Sequence, residues 1–139
     1  MFDFCLKYFG FLKHAPLMPH LFDAMLKMEK ALTKPEVLGY IDDIEMHVLS
    51  WKGLRVSTHR LGGIQFNVNG KEIGHIHGNG MLDILFSRNI SEKLISENKA
   101  SEHHIHKQSG WISFLICNER DKARALELLE FSLKLKTGS

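Results

Sequence analysis

The sequence predicts an α+β domain: helices at both ends around a mostly antiparallel sheet of about five to six strands. Three observations carry this. Apolar residues recur at helical spacing near the start of the 139-residue chain, and Asn118 offers a cap for a helix at its end. Between those ends lie short runs with period-two alternation, broken by glycines. One of the breaks is an Asn-Gly pair, which favours a two-residue hairpin because both of its positions require positive φ. Domain size points the same way. A chain of this length buries a core without a disulfide or a structural metal, so residues 1–139 are read as one domain. Within it, residues 1–43 are a helical N-terminal region and residues 44–136 the sheet-and-helix core.

Taken in order, residues 2–13 read as a helix, and Pro16 and Pro19 punctuate the stretch after it. This opening is rich in phenylalanine, but Asp3 comes first and Lys7 interrupts the apolar run. It therefore fits neither a secretory signal nor a membrane span. Packing on the domain is the favoured reading, with weak contact between the N-terminus and a membrane surface as the alternative. From His20 to Leu32, Leu21, Met25, Met28 and Leu32 form one helical stripe, read as core filler. Pro35 suits the first turn of a short helix ending near Asp42.

Glu45 to Lys52 then reads as a strand, Gly53 as a turn and Val56 to Arg60 as a second strand. With Asn69 and Gly70 as the hairpin loop, regular pairing sets Val68 against Lys71 and Ile64 against His75. Alternation then puts Ile64, Phe66, Val68, Ile73, His75 and His77 on one face. Gln65, Asn67, Glu72 and Gly74 take the other. Met81 to Phe86 is the next strand, and Ser91 is read as the cap of a helix running to about Asn98. Residues 100–117 read as a histidine-rich strand, a Lys-Gln-Ser-Gly turn and an apolar strand. Asn118 caps the last helix, to about Lys134.

A formal charge of +2, with basic residues scattered among acids, argues against a nucleic-acid partner. Cys5 and Cys117 are far apart and make no CxxC unit, which fits a reducing, cytoplasmic compartment. Nothing here speaks to oligomeric state. Histidine stands out: six of nine lie between residues 59 and 106.

His75 and His77 are the leading candidates, either as satisfied core histidines or as polar groups of a small-molecule pocket. Their spacing permits chelation with His103, His104 or Asp83. No cysteine or recognised ligand motif accompanies them, so a metal-free site is preferred. Asp83, within an apolar strand, needs a histidine or Arg60 as partner if buried, or else faces water from an edge. In a regular strand His103 and His104 face opposite ways, and His104 is the one assigned to the site. Trp111 serves as core or as a ligand platform, and Phe66 as core or pocket wall. The Gly78-Asn79-Gly80 loop leads into a strand, so a phosphate cradle is discounted. No nucleophile motif is present.

Two stretches, HRLGGIQFNVNGKEIGHIHGNGMLDILFSR and ISEKLISENKASEHHIHKQSGWISFLI, resemble the small luciferase-domain family. That family contains many bacterial proteins of unknown activity and is thought to include the fungal luciferases. The shared pattern is a Gly-Gly-x-x-Phe strand, a Gly-His-x-His-Gly turn, a Leu-Asp strand, a His-His pair and a Ser-Gly-Trp strand. It spans roughly residues 45–135. Arg88 supplies the basic residue expected before the short helix, but Lys107-Gln108 stands where a proline is expected. The element order is also similar to that of YjbR-like proteins.

The resemblance implies a pocket for a small aromatic or enol-type molecule. It also implies chemistry in which a histidine removes a proton and the resulting anion meets dioxygen, with no cofactor. The candidate catalytic set is then His75, His77, Asp83 and His104, with Arg60, Phe66 and Trp111 binding the ligand. A non-catalytic module for a small ligand or a protein partner is the alternative.

Overall fold

The computed structural model describes residues 17–138. The helix expected over residues 2–13 lies outside them. Two helices open the described chain, α1 (Met18–Thr33) and α2 (Pro35–Leu49). Strands β1 (Leu54–Thr58), β2 (Ile64–Val68), β3 (Lys71–Ile76) and β4 (Met81–Leu85) come next as a meander. Then come α3 (Arg88–Ser96), the two-residue β5 (Ser101–Glu102), β6 (Trp111–Leu115) and α4 (Glu119–Thr137). The fold is α+β, and its six strands form one antiparallel sheet in the order β1-β2-β3-β4-β6-β5. No helix among the described residues is long and apolar enough to cross a membrane.

The structure corrects several local readings. The segment taken as a strand over Glu45–Lys52 begins as the end of α2, which runs past Asp42 to Leu49, and finishes in a turn. Val37, Ile41, Ile44 and Val48 are all buried on the helix. Their three-to-four spacing makes one stripe against the core, and that burial overrides the strand preference of the local residues. In α1, Leu21, Met25, Met28 and Leu32 do share a stripe, but it is exposed and not core. α1 is anchored instead through buried Asp23, whose Oδ1 accepts the Gly78 N–H at 2.7 Å. Gly62 permits the close approach, since a Cβ there would sit 2.7 Å from Asp23 Cβ and from the Pro19 carbonyl oxygen.

The N-cap of α3 is Ser87, while Ser91 lies inside the helix and donates its hydroxyl to the Arg88 carbonyl. For α4 the expected cap is present, Asn118 accepting from the Asp121 N–H at 3.0 Å. The histidine-rich strand shrinks to Ser101–Glu102, so residues 103–110 form a loop.

The decisive departure is a β-bulge. Asn69 and Gly70 have positive φ, and Val68 pairs with Lys71 as the turn requires. Beyond Asn67 and Glu72 the register shifts, so Phe66 faces Gly74 and Gln65 faces His75. One extra residue, Ile73, sits on β3, and every later residue of that strand changes side relative to regular pairing. Phe66 and Gly74 therefore face the helices, where a Cβ on Gly74 would meet Leu129 Cδ2 at 2.9 Å. The core forms on that face, from Phe66, Ile76, Ile84, Ile112, Leu129 and the stripe of α2. His75 belongs to the opposite face, contrary to the alternation read from the turn.

Candidate functional site

The ladder carries one polar row across all six strands: Ser57, Gln65, His75, Asp83, Ser113 and Ser101. Directly paired residues project to the same side of a sheet. The row therefore marks the face away from the helical core. At its centre Asp83 is fully buried, as is most of His75. A carboxylate held there needs several donors, and it has them.

Ser113 Oγ donates to Asp83 Oδ1 at 2.5 Å. Three imidazole nitrogens converge on the other oxygen. His77 Nε2 lies 3.1 Å from Oδ2, His75 Nε2 3.5 Å and His103 Nε2 3.6 Å. His75 is held from its far side as well, with Nδ1 2.5 Å from Glu72 Oε1. The bulge makes that contact possible, because it brings Glu72 and His75 to one face although they are three apart.

Backbone donors fix two tautomers. His103 Nδ1 accepts from the N–H groups of Ile105 and His106, both at 3.1 Å, so its proton resides on Nε2 toward Asp83. His59 Nδ1 accepts from the Leu61 N–H at 3.3 Å, so its Nε2 is likewise the protonated nitrogen. The His59 ring stacks on His75, centroids 3.8 Å apart, and His77 stands edge-on to His75 at 5.0 Å. Trp111 closes another side, its ring 5.6 Å from His75 and 5.9 Å from His103.

These contacts set the electrostatics. Burial opposes ionisation of Asp83, yet the bonds from His75, His77 and Ser113 hold its carboxyl well below the ordinary range. Burial also opposes protonation of His75, but Asp83 and Glu72 outweigh it and raise the imidazole to about 9. His59 has no such carboxylate bond. Burial, with His75 beside it, lowers it to about 4. His103 is pushed down chiefly by burial, against the pull of Asp83. The cluster thus contains an ionised carboxylate, a readily charged imidazole and a neutral imidazole stacked on it.

Of the residues proposed from sequence, His75, His77, Asp83 and Trp111 come together here. Phe66 does not, because it is buried on the helical side of the sheet. Arg60 is exposed and acts on the cluster by disfavouring a charge on His59. His104 is exposed and stacks on His103 at 4.7 Å, so His103 and not His104 faces the carboxylate. The strand argument for His104 lapses with the strand. Sequence reasoning missed Glu72, His59 and Ser113 as members, and it set His103 aside for His104. For Ser113 the available signal was a polar residue in an otherwise apolar strand, readable only in the correct register, while Glu72 joins through the bulge and His59 and His103 lie outside the strands.

Beside the cluster lies a hollow of about 340 Å³ whose lining includes Arg88, Glu92, Ile95, Glu102, Gln108 and Trp111. Trp111 belongs to both, with its ring against His75 and His103 and its surface lining the hollow.

The family model of the luciferase domain matches residues 70–132. That segment starts at the hairpin turn and ends within α4, so it includes Glu72, His75, His77, Asp83, His103, Trp111 and Ser113. His59 and the N-terminal helices fall outside it. No curated protein sequence and no solved structure matches the chain.

Proposed function

We propose, from the match of the luciferase-domain family model to residues 70–132, that the chain binds a small aromatic or enol-type molecule and brings it into reaction with dioxygen. The observation that carries this reading is the convergence of three imidazoles on buried Asp83 beside an indole ring. A planar ligand would lie against Trp111, in a hollow whose volume is at the small end for a ligand site. Its hydroxyl would point toward the imidazoles.

His77 suits the role of proton acceptor. Its Nε2 is tied to Asp83, as in the carboxylate-oriented imidazoles of general-base catalysis. Its side chain is 21 % exposed, against 6 % for His75 and 8 % for His103. In the reaction the enol hydroxyl gives its proton to the imidazole, leaving an enolate. The enolate carbon then donates its electron pair to dioxygen, forming a carbon–oxygen bond and a peroxide anion. That anion takes the proton back, so substrate and dioxygen together give a hydroperoxide and the imidazole is regenerated.

The test is oxygen uptake across a panel of phenolic and enolic compounds. Wild type is compared with the His75→Ala, His77→Ala double variant and with Trp111→Leu. The reading expects uptake with at least one compound, abolished in the double variant and shifted to higher KM by Trp111→Leu. Uptake at equal rates in wild type and the double variant would exclude the cluster as the site of reaction. Saturable ligand binding with no oxygen uptake would leave a ligand-holding module.

A further inference from the structure

The open-face cluster has a feature that proton transfer does not use. Asp83 Oδ2 has two lone pairs, yet three imidazole Nε2 atoms face it. His103 brings its own hydrogen to this oxygen, because its Nδ1 is occupied by two backbone donors. His75 and His77 then direct their Nε2 atoms at what remains.

The geometry points to a binding site for one divalent transition-metal ion, with Nε2 of His75, Nε2 of His77 and Oδ2 of Asp83 as ligands. These three residues each offer a ligand atom, all within 4.8 Å of one another. Bonds of about 2.1 Å to nitrogen and oxygen set ligand-to-ligand edges of roughly 3.0 to 3.4 Å. The oxygen-to-nitrogen separations of 3.1 and 3.5 Å are close to those edges. One ion among the three atoms would also meet the lone pairs that the carboxylate and, once His75 has given up its proton, the two imidazoles turn inward.

The surroundings fit a metal centre too. A metal-binding imidazole characteristically donates its second nitrogen to a carboxylate, which fixes the tautomer and strengthens the ligand. His75 has that partner in Glu72, at 2.5 Å from Nδ1. His103 and Ser113 bond the ligating carboxylate from outside the triad, as a second layer around a metal would. Two carboxylates, Asp83 and Glu72, face the imidazoles from opposite sides of His75, and their charge favours a cation here. Two imidazoles and one carboxylate leave coordination positions open. That ligand set suits iron(II) in oxygenases and, with water as a further ligand, zinc. The tautomer of His103 keeps it out of the ligand set.

This inference deepens the oxygenation reading, and it rests on that reading only for the organic ligand. An ion here would bind the enol oxygen and acidify its hydroxyl, the proton leaving to solvent, while His77 would serve as a ligand and not as the proton acceptor. No ligand motif is visible in the sequence because Asp83 joins the His-x-His pair across a strand pairing, through the register of β3 and β4.

The test uses the untagged full chain, dialysed against a chelator and then titrated with cobalt(II) and with zinc(II). Calorimetry gives stoichiometry and affinity, and the visible d–d absorption of cobalt reports an ordered site. The expected result is one ion per chain. Glu72→Gln should bind at least about tenfold more weakly, the range typical of a lost outer-layer contact, and His77→Ala, which removes a ligand, should lose at least as much. His104→Ala should bind as wild type does. Both weakened positions are partly exposed, so the variants should fold, and circular dichroism checks this. Absence of saturable binding, or equal affinity in wild type and His77→Ala, would overturn the proposal. Oxygen uptake at full rate by the chelated protein would overturn it as well, while leaving the proposed function standing. Stoichiometric ion binding without uptake of oxygen for any compound would support the metal site and sink the oxygenation reading.

Discussion

Replacing Asp83 with asparagine keeps the volume of the side chain and removes its charge, so it isolates what the carboxylate does. The amide oxygen can still accept from Ser113 Oγ, which now sits 2.5 Å from Oδ1. The amide nitrogen would take the place of Oδ2, facing nitrogens at 3.1, 3.5 and 3.6 Å. There it meets the N–H of His103 donor to donor, and His75 loses one of its two carboxylates. Removing one partner of a buried ion pair costs about 3 to 5 kcal/mol. Glu72 keeps its contact with His75 Nδ1, so the loss should fall near the lower end, about 3 kcal/mol. For a chain of this size that lowers Tm by roughly 10 °C. Urea unfolding followed by tryptophan fluorescence, in the presence of a chelator, measures it. A loss below about 1 kcal/mol, the worth of one neutral hydrogen bond, would mean that Asp83 does not organise the cluster. Combining the change with Ser113→Ala should show coupling of about 1 kcal/mol, because the amide keeps the Ser113 bond only as a neutral one.

Gly74→Ala should destabilise by about 1 to 3 kcal/mol, since its Cβ would press on Leu129 and Ile84 at 2.9 and 3.0 Å. The same urea assay reads this, and a neutral effect would place Gly74 away from the helices and remove the bulge. Asp23→Ala leaves the buried N–H of Gly78 without its acceptor and should cost about 1 to 3 kcal/mol. Faster amide exchange at Gly78 would accompany that loss. By contrast, Met28→Ser and Leu32→Ser should each change stability by no more than about 0.5 kcal/mol, because both side chains are exposed. A larger loss for either would show that the stripe on α1 is covered.

Much of the fold was legible because local chemistry and tertiary packing agree. Asn69-Gly70 marks a hairpin and is one. Asn118 has the chemistry of a helix cap and serves as one. Met81–Leu85 alternates and is a strand in the middle of the sheet. Reading failed where a long-range choice overruled a local pattern. The segment around Met46 and Val48 looks like a strand in isolation, but four residues spaced along α2 bury together against the core.

The site suffered most from such a choice. Counting from the turn predicts the wrong face for His75 and His77, because one unpaired residue at Ile73 reverses everything after it. Composition located the histidines but could not say which face they share. His103 illustrates the same limit. A strand would have made its neighbour the better candidate, whereas a loop lets its own backbone bind Nδ1 and aim Nε2 at the carboxylate.

Long-range ¹H–¹⁵N NMR of the imidazole nitrogens tests the convergence on Asp83 most directly. Spectra of the chelated wild type should show His59 and His103 as Nε2–H tautomers. In Asp83→Asn the signals of His75, His77 and His103 should all move, while those of His47, on the far end of α2, stay in place. Unchanged ring signals for His75 and His77 in that variant would contradict the account, since the carboxylate could then not be the group on which they meet.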